Sequence, residues 1–536
     1  MHPETPAPTR PRGWRLVLGL LALAVAPALL WVASERMLAC RGPAWGSYDF
    51  DPSYVYLLNS LMLAEGRSPG HTDHPGTPVQ AFGAAGLRLS HPTLSAEQRA
   101  YVVLAAPETH LRILVQSATV LAALMWLAAG WVYWRTSGSL LVALACQSLP
   151  LAFRQTCIAL GWFTPELFFL CLSGWLGILA TIVTERKASA GRRLIVPLGL
   201  FIGTAVMTKV TWVPLAAALL FVPGSWKARL CTAALAALTI CGWALFILPE
   251  LARTLGWLTQ VATHTGHYGG GPSGLPEWAA YRLNLANLWD HEPMNLGLAL
   301  VSCLGLLALY FRRPATIAAQ SQARRMLGLL TLGCAGVLLA GAKHPAARYI
   351  LPVAMVGPSI AYLALFGLAS LPSPTARRLG QAVAVAILIA TAIVGPRSLL
   401  NVETRMKEAQ RQRIETERLC SLHPEARLVD FYRGLSVPYA LRFGNSFSHE
   451  HFAGLLRRLY PAAISYNVFN AKFEHFGHWI EPAAFFADPT PVLLVGSNDL
   501  TSTFGPPFPK PPVWQMQRLA SPGIHALYLL TPPSQP

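Results

Sequence analysis

The sequence predicts an α-helical polytopic membrane protein with about eleven membrane-spanning helices, followed by a small α/β extracytoplasmic domain at its C-terminal end. Hydrophobic residues occupy 53% of the 536 positions and charged residues only 12%, roughly half the charged fraction of an average soluble protein. Several apolar runs reach about 18 to 23 residues, enough to cross a hydrocarbon core roughly 30 Å thick. Composition and run length therefore favour a membrane protein over a soluble one.

The net charge of +17 is concentrated in short loops between the apolar runs. Lysine and arginine group at 10–15, 186–193, 227–229, 312–325 and 377–378. The positive-inside rule places such loops in the cytoplasm. Because no basic stripe alternates with aromatic residues on a polar segment, the sequence does not predict a nucleic-acid partner.

The alternation of apolar runs and basic loops predicts the order of the helices. After a cytoplasmic N-terminal tail (1–13), they cover 14–34, 111–134, 138–153, 163–184, an abutting pair within 194–223 that meets at Lys209, 230–249, 294–311, 326–341, 349–369 and 380–396. The predicted transmembrane domain is thus 14–396, with large outer loops at 35–110 and 250–293. This count places the protein in the inner (plasma) membrane as a multi-pass protein, with a periplasmic C-terminal domain at 397–536.

Two segments outside the predicted spans also carry regular patterns. In the first outer loop, apolar residues at helical spacing over 54–62 and 79–89 predict amphipathic helices on the membrane surface. Near the C-terminus, strand-like runs occupy 427–431, 491–495 and 526–530, and helical patterns occupy 402–420 and 449–459. These runs predict the small α/β domain.

Two carboxylates open the first outer loop, where Asp49 and Asp51 alternate with Phe50 ahead of Pro52. One interpretation is a helix cap, with Asp51 before a proline in the first turn. The other is a general base, because a partly desolvated carboxylate can take a proton from a hydroxyl or an amine. The residues alone leave both interpretations open.

Histidines in the two outer loops are the candidates for a metal site. His71 and His74, beside Asp73, would have to meet His264 and His267 in the fold, because a metal needs three or four convergent ligands. Nothing in the spacing brings them together, so the sequence predicts no required cofactor, although it is compatible with a divalent metal.

A third group of polar residues lies at predicted helix ends. Lys343 and Arg348, followed by Tyr349, flank an outer turn where basic residues should be scarce. They would contact lipid headgroups or bind a phosphate. Lys209 either marks a turn or projects into a cavity, and Glu166 either suits a helix N-terminus or adds a carboxylate to a site.

Four short segments within 14–400 then carry a family resemblance. They are Asp51-Pro-Ser-Tyr54 with Glu65-Gly66, Asp73-His74-Pro75, Gly203 through Thr208-Lys209, and Lys343 through Arg348-Tyr349 to Pro352. In this order and on this predicted side, they resemble GT-C superfamily glycosyltransferases of family 39, the protein O-mannosyltransferase and lipid A aminoarabinose-transferase group. The resemblance implies a GT-C-like transmembrane bundle.

The resemblance also implies an activity, the inverting transfer of a sugar (a hexose or a pentose) from a polyprenyl-phosphate donor to an acceptor at the outer face of the membrane. Asp51 matches the catalytic aspartate, which would deprotonate the acceptor. Asp49 is the alternative base, because Pro52 stands where the family has a glutamate after the aspartate. The implied partners are the lipid-linked sugar and membrane lipids, while the acceptor class stays open between protein, lipid and polysaccharide.

The leaving group in such a reaction is a lipid phosphate, which needs charge stabilisation. The resemblance assigns this role to Arg348, Lys343, His74, Lys209 and Tyr349. Tyr54 and Asp73, which lie in these motifs, join the same site, and Glu166 is the further carboxylate that its position at a helix start offers.

Two other functions use the same lipids. A transporter or flippase of lipid-linked saccharides would carry charges near the bilayer midplane beside broken helices. A polymerase or ligase of lipid-linked saccharides would share a basic outer site without the Asp51 loop. The charges of this sequence lie at helix ends, which favours the transferase.

Overall fold

The computed structural model describes residues 13–46, 50–184, 190–274, 277–291, 294–310, 318–343, 345–371, 373–431, 436–468, 470–497, 508–509, 511–520 and 525–533. Its helices are α1 (Gly13–Arg41), α2 (Phe50–Ala64), α3 (Thr77–Ser90), α4 (Ala96–Ala105), α5 (Pro107–Ser137), α6 (Leu140–Ser148), α7 (Arg154–Ala159), α8 (Pro165–Ile182), α9 (Ala190–Thr208), α10 (Val213–Leu219), α11 (Trp226–Ala244), α12 (Leu251–Thr263), α13 (Trp278–His291), α14 (Met294–Tyr310), α15 (Ala318–Gly341), α16 (Leu351–Ala369), α17 (Pro374–Cys420), α18 (Val437–Ser446), α19 (Ala453–Leu459) and α20 (Pro482–Phe485).

Short 3-10 turns lie between several of these helices, at Ala44–Gly46, Leu149–Ala152, Val210–Trp212, Leu245–Glu250, His267–Gly269 and Ala347–Tyr349. The strands are β1 (Arg427–Phe431), β2 (Ile464–Asn467), β3 (Lys472–His475), β4 (His478–Ile480), β5 (Val492–Ser497), β6 (Gln515–Ala520) and β7 (His525–Thr531).

The chain forms two compact units. The bundle unit comprises Met1–Glu35, Thr72–Val79 and Val115–Val402, and the sheet unit comprises Arg36–His71, Gln80–Leu114 and Glu403–Pro536. Within the described residues, seven helices are long and apolar enough to cross a membrane, and shorter apolar helices accompany them. The protein is therefore a multi-pass membrane protein of predominantly helical structure, as the apolar runs predicted.

Helix α16 is the centre of the bundle unit. It is buried along nearly its whole length and packs against α8, α14 and α15. The contact with α14 is close because a Cβ added at Gly305 would lie 2.5 Å from the Cβ of Ala364. Small residues at such crossings let helix backbones approach in an apolar environment, where van der Waals packing replaces the hydrophobic effect as the main attraction.

The predicted break at Lys209 is present. Helix α9 ends at Thr208, Lys209 is extended (φ −163°, ψ 135°), and α10 begins at Val213 after a 3-10 turn. The final span differs from the prediction, because the helix expected to end at residue 396 continues through Pro396 to Cys420. The helical pattern at 402–420 thus belongs to the same 47-residue helix.

The sheet unit contains a seven-stranded sheet of order β4-β3-β2-β1-β5-β7-β6. Strand β1 pairs in parallel with β2 and β5, and the outer pairs are antiparallel. The strand-like runs at 427–431, 491–495 and 526–530 form β1, β5 and β7 with small shifts. An aromatic core lies on this sheet, where the Phe473 and Phe485 rings stack with centroids 3.7 Å apart.

The segment predicted as the first outer loop forms helices α2 and α3, where its apolar spacing predicted helices. Helix α2 is buried along nearly all of its described residues and packs against α18 within the sheet unit. A Cβ at Gly444 of α18 would lie 3.0 Å from the carbonyl oxygen of Tyr54, so a glycine permits this close approach.

We expect Phe473→Ala to lower the free energy of unfolding of the sheet unit by about 3–5 kcal/mol, because the change removes a fully buried ring and leaves a cavity. Denaturant-dependent hydrogen exchange of the strand amides in the full chain measures this loss. Val513→Ala, at a site 65% exposed, is the matched control. A Phe473 variant as stable as this control would contradict the assigned core.

Candidate functional site

A buried ion pair joins two distant parts of the bundle unit. The Lys209 ammonium donates to the Glu166 carboxylate, and the residues are 3% and 8% exposed. Glu166 lies in the first turn of α8, where the helix dipole favours a carboxylate. The extended backbone at Lys209 leaves the α9 helix at this point, so the side chain turns toward Glu166. Both residues were predicted for the site, and the fold brings them together.

Tyr349 covers the other side of this pair. The Lys209 ammonium lies 5.0 Å from the centroid of the Tyr349 ring, a cation–π distance. The Arg348 guanidinium lies 5.5 Å from the same ring and donates to the hydroxyl of Tyr268 at 3.1 Å. The Tyr349 hydroxyl also donates to the Tyr268 hydroxyl at 3.1 Å. Two cations and two phenols therefore share one small region.

Burial and charge set the protonation state of these groups. Burial raises the pKa of the Tyr349 hydroxyl above its usual value, although the positive charge of Arg348 acts in the other direction. The hydroxyl therefore stays protonated at neutral pH and remains a hydrogen-bond donor. Arg348 also attracts the Glu166 carboxylate and repels the Lys209 ammonium.

His74 reaches the same region from the loop before α3. Its ring meets the Trp257 ring edge-on at 5.2 Å and lies 6.0 Å from the Tyr349 ring. This loop is fixed to α12, because Arg253 bonds Asp73 at 3.1 Å and Thr72 at 2.9 Å. Asp73, a predicted site residue, thus pairs with Arg253.

Two further contacts hold the loop before α3 and its partner Arg253 in place. The Thr254 hydroxyl donates to the Thr72 hydroxyl at 2.5 Å, and the Arg253 guanidinium also bonds Glu250 at 2.8 Å. Arg253 is therefore held between two carboxylates, with Asp73 on the side of the loop. The position of His74 follows from these contacts with α12.

A cavity of about 240 Å³ opens beside these groups. Its wall is mostly apolar and comes from the turn after α9 and from α10, α12 and α15; the apolar residues are Val210, Val213, Pro214, Val261, Val337, Ala340 and Gly341. Its polar lining is His74, Thr211, Tyr268 and Tyr349, with the Trp257 ring beside His74. The cavity thus combines an apolar wall with a polar end, where Tyr268 and Tyr349 lie beside Arg348 and Lys209.

Lys343 lies in the turn after α15 and donates to the backbone carbonyl of Val261 in α12. Burial lowers the pKa of its ammonium. Because Val261 lines the cavity, this contact ties the turn to the cavity wall.

The two candidate bases are only partly within the described structure. Asp49 lies outside the described residues, and Asp51 lies in the first turn of α2 with its side chain outside the description. Tyr54, three residues after Asp51, is fully buried, and its hydroxyl donates to Glu108 at 2.8 Å.

The candidate metal ligands lie in different surroundings. His71 packs edge-on between Tyr56 and Phe447 in the sheet unit. His264 shares a hydrogen bond with Thr263, and the side chain of His267 lies outside the description. Among the described residues, no three histidine, cysteine, aspartate or glutamate side chains converge as a metal would require.

Several residues were not anticipated from the sequence. In the bundle unit they are Trp257, Tyr268, Arg253 and Glu250, and in the sheet unit Glu108 beside Tyr54. Arg253 and Tyr268 lie in the segment predicted as the second outer loop, where a cation and an aromatic residue near apolar helices could have indicated a site. Glu108 has no such signal, since an acidic residue at the start of a helix is ordinary.

We expect Lys209→Met to destabilise the bundle unit by about 3–5 kcal/mol, because it leaves the Glu166 carboxylate buried without its cation. The double variant Lys209→Met/Glu166→Leu should recover most of this loss, since removing both charges also removes their desolvation cost. Denaturant unfolding in detergent measures the free energy of unfolding of the wild type, both single variants and the double variant. The same double-mutant cycle on the exposed pair Arg458 and Glu97 is the control. Additive losses would contradict the pairing.

Comparison with known proteins places this arrangement in a known fold. No protein-family model and no curated protein matches the chain. Among solved structures, ArnT from Cupriavidus metallidurans in the apo state aligns with a TM-score of 0.52 at 14% identity, covering 96% of this chain and 98% of that chain. ArnT bound to undecaprenyl phosphate aligns with a TM-score of 0.48 at 14% identity, covering 97% and 98%. The chain therefore shares the fold of apo ArnT, in line with the transmembrane bundle that its four motifs implied.

Proposed function

We propose that this protein is an inverting glycosyltransferase that moves a sugar from a polyprenyl-phosphate donor to an acceptor. The observation that carries the proposal is the cavity of the bundle unit. It joins an apolar wall to a polar end that holds Tyr349, Tyr268 and His74. A lipid with a hydrocarbon tail and an anionic head matches this cavity, because it also has an apolar part and a polar part.

The apolar wall suits a prenyl chain. Valine, proline and alanine side chains and the Cα of a glycine present carbon to the cavity, and burial of hydrocarbon against them is favourable by roughly 25 cal/mol per Å². A free nucleotide sugar is polar throughout, so it would not bury hydrocarbon against this wall. The wall therefore favours a lipid-linked donor over a soluble one.

The polar end suits a phosphate. Arg348 offers a planar fork of donors, and the hydroxyls of Tyr268 and Tyr349 lie within 3.1 Å of each other beside it. Lys209 adds a cation, but Glu166 compensates it. We therefore assign the main phosphate contact to Arg348 and supporting roles to Tyr349, Lys209, Lys343 and His74.

The reaction needs no general acid, because the leaving lipid phosphate is already a stable anion. The acceptor attacks the anomeric carbon, the bond from that carbon to the phosphate oxygen breaks, and the new glycosidic bond forms with inversion. A carboxylate takes the acceptor proton, and Arg348 stabilises the charge that develops on the phosphate. We assign the base to Asp51, with Asp49 as the alternative, on the motif around Tyr54.

The proposal also includes the side of the membrane on which the reaction takes place. Basic loops at 186–193 and 312–325 would lie in the cytoplasm, so the opposite ends of the spans would face the periplasm. Glu166, Lys209 and Arg348 all belong to those opposite ends. The donor site would thus face the outer side of the inner membrane.

Asp51→Asn should abolish sugar transfer while leaving binding of polyprenyl phosphate intact, because the amide cannot accept the proton. Membranes incubated with labelled polyprenyl-phosphate sugars measure transfer, and the labelled fraction also identifies the acceptor class. Asp49→Asn is the matched comparison. If only Asp49→Asn is inactive, the base is Asp49; full transfer by the double variant would contradict a base at either position.

Arg348→Ala should weaken binding of undecaprenyl phosphate by about 10- to 100-fold, the loss expected for a charge-assisted hydrogen bond. The affinity of Arg348→Lys should lie between those of the wild type and Arg348→Ala, because lysine keeps the positive charge but lacks the planar fork of donors. Titration of purified protein with the lipid measures the affinity, and Arg282→Ala, at an exposed position of α13, is the control. An unchanged affinity in Arg348→Ala would remove this residue from the phosphate site.

A further inference from the structure

One carboxylate in the sheet unit takes hydrogen bonds from two segments of the chain. Glu108, in the first turn of α5, accepts from the backbone N–H of Ala44 at 2.8 Å and of Trp45 at 3.3 Å. The same carboxylate accepts from the hydroxyl of Tyr54 at 2.8 Å. Ala44 and Trp45 lie in the 3-10 turn after α1, whereas Tyr54 lies in α2. Glu108 therefore holds both ends of the stretch that contains Asp49 and Asp51.

The surroundings make these contacts strong. Tyr54 is fully buried and Arg41 is 4% exposed, and the Arg41 guanidinium attracts the Glu108 carboxylate. Burial, and then the negative charge of Glu108, raise the pKa of the Tyr54 hydroxyl well above its usual value. The hydroxyl therefore remains a donor at any physiological pH. Hydrogen bonds to a charged acceptor are stronger than those between neutral groups, so the two 2.8 Å contacts, from Ala44 and Tyr54, restrain both segments.

The 3-10 turn is also held from a second direction. The Arg413 guanidinium of α17 lies 5.2 Å from the centroid of the Trp45 ring. A Cβ at Gly46 would lie 2.5 Å from the Cδ of Arg413, so the arginine stem rests directly on the glycine backbone. The turn is therefore fixed by Glu108 through its amides and by Arg413 through its ring and its glycine.

We propose that Glu108 is a positioning residue for the reaction, because it fixes the backbone on both sides of the proposed base. This inference rests on the proposed function, in which Asp51 or Asp49 removes the acceptor proton. Tyr54 has the same positioning role, since its buried hydroxyl donates a hydrogen bond to Glu108. Glu108 itself does not contact the reacting atoms in this proposal.

Replacement by glutamine separates this role from a general structural one. In Glu108→Gln the side chain keeps its size, but an NH₂ group replaces one of the two carboxylate oxygens. That oxygen accepted a hydrogen bond, whereas the NH₂ group cannot accept one. The NH₂ group then faces the backbone N–H of either Ala44 or Trp45, so one of these two bonds is lost. The segment would shift while the rest of the sheet unit keeps its packing.

The experiment compares Glu108→Gln with the wild type in the full-length protein in membranes. We expect kcat for sugar transfer to fall by about 100-fold, the cost of a misplacement of roughly 1 Å at a reacting group. The KM for the lipid-linked donor should stay unchanged, because the donor contacts lie elsewhere. Tyr54→Phe should lower kcat less, since both backbone contacts remain. Glu97→Gln, an exposed carboxylate in α4 paired with Arg458, is the matched control and should match the wild type.

A second measurement does not depend on activity. Hydrogen exchange of at least one of the Ala44 and Trp45 amides should accelerate in Glu108→Gln, and neither should change in Glu97→Gln. Faster exchange with an unchanged kcat would overturn the positioning role, and unchanged exchange would overturn the contacts on which it depends. A parallel rise in KM and loss of folded protein would indicate a purely structural residue. If the wild type transfers no sugar from any polyprenyl phosphate, the proposed function fails, and the exchange data still decide whether Glu108 holds this segment.

Discussion

The buried ion pair between Glu166 and Lys209 is the constraint on which the polar end of the bundle unit depends. A charge inside an apolar bundle is costly, and either residue alone would be strongly destabilising. Together they require that the start of α8 faces the break after α9. Tyr349 then covers Lys209 and fixes the turn before α16 against the same point. One electrostatic requirement thus aligns three segments of the chain.

The cavity follows from this alignment. Once α9 is broken at Lys209, the turn that follows and α10 form one wall, and α12 and α15 form the others. The aromatic groups at the polar end are held by one another, because Tyr268 receives hydrogen bonds from both Arg348 and Tyr349. In the proposed function, this fixed arrangement of donors next to an apolar wall would bind an anionic lipid head without reorganising, which is the condition for electrostatic catalysis.

The helix α2 shows where sequence patterns give an incomplete answer. Its apolar spacing predicted a helix, but not that the helix would be buried along nearly its whole described length. Asn59 and Ser60 are polar and yet fully buried, because each side chain donates to a carbonyl one turn earlier, at 2.7 Å. A polar residue that satisfies its hydrogen bonds within its own helix does not mark an exposed face.

The sequence by itself determined the membrane class, most of the spans, the break at Lys209, three of the strands and the order of motifs that indicated the fold. The membrane class, the spans and the strands depend on composition and periodicity, which are local properties of the chain, whereas the motifs indicated the fold through a family resemblance. Only the tertiary structure decided that Lys209 pairs with Glu166, 43 residues away, and that Tyr54 meets Glu108, 54 residues away. Such pairings depend on how helices pack, and packing brings together side chains whose separation along the chain has no period.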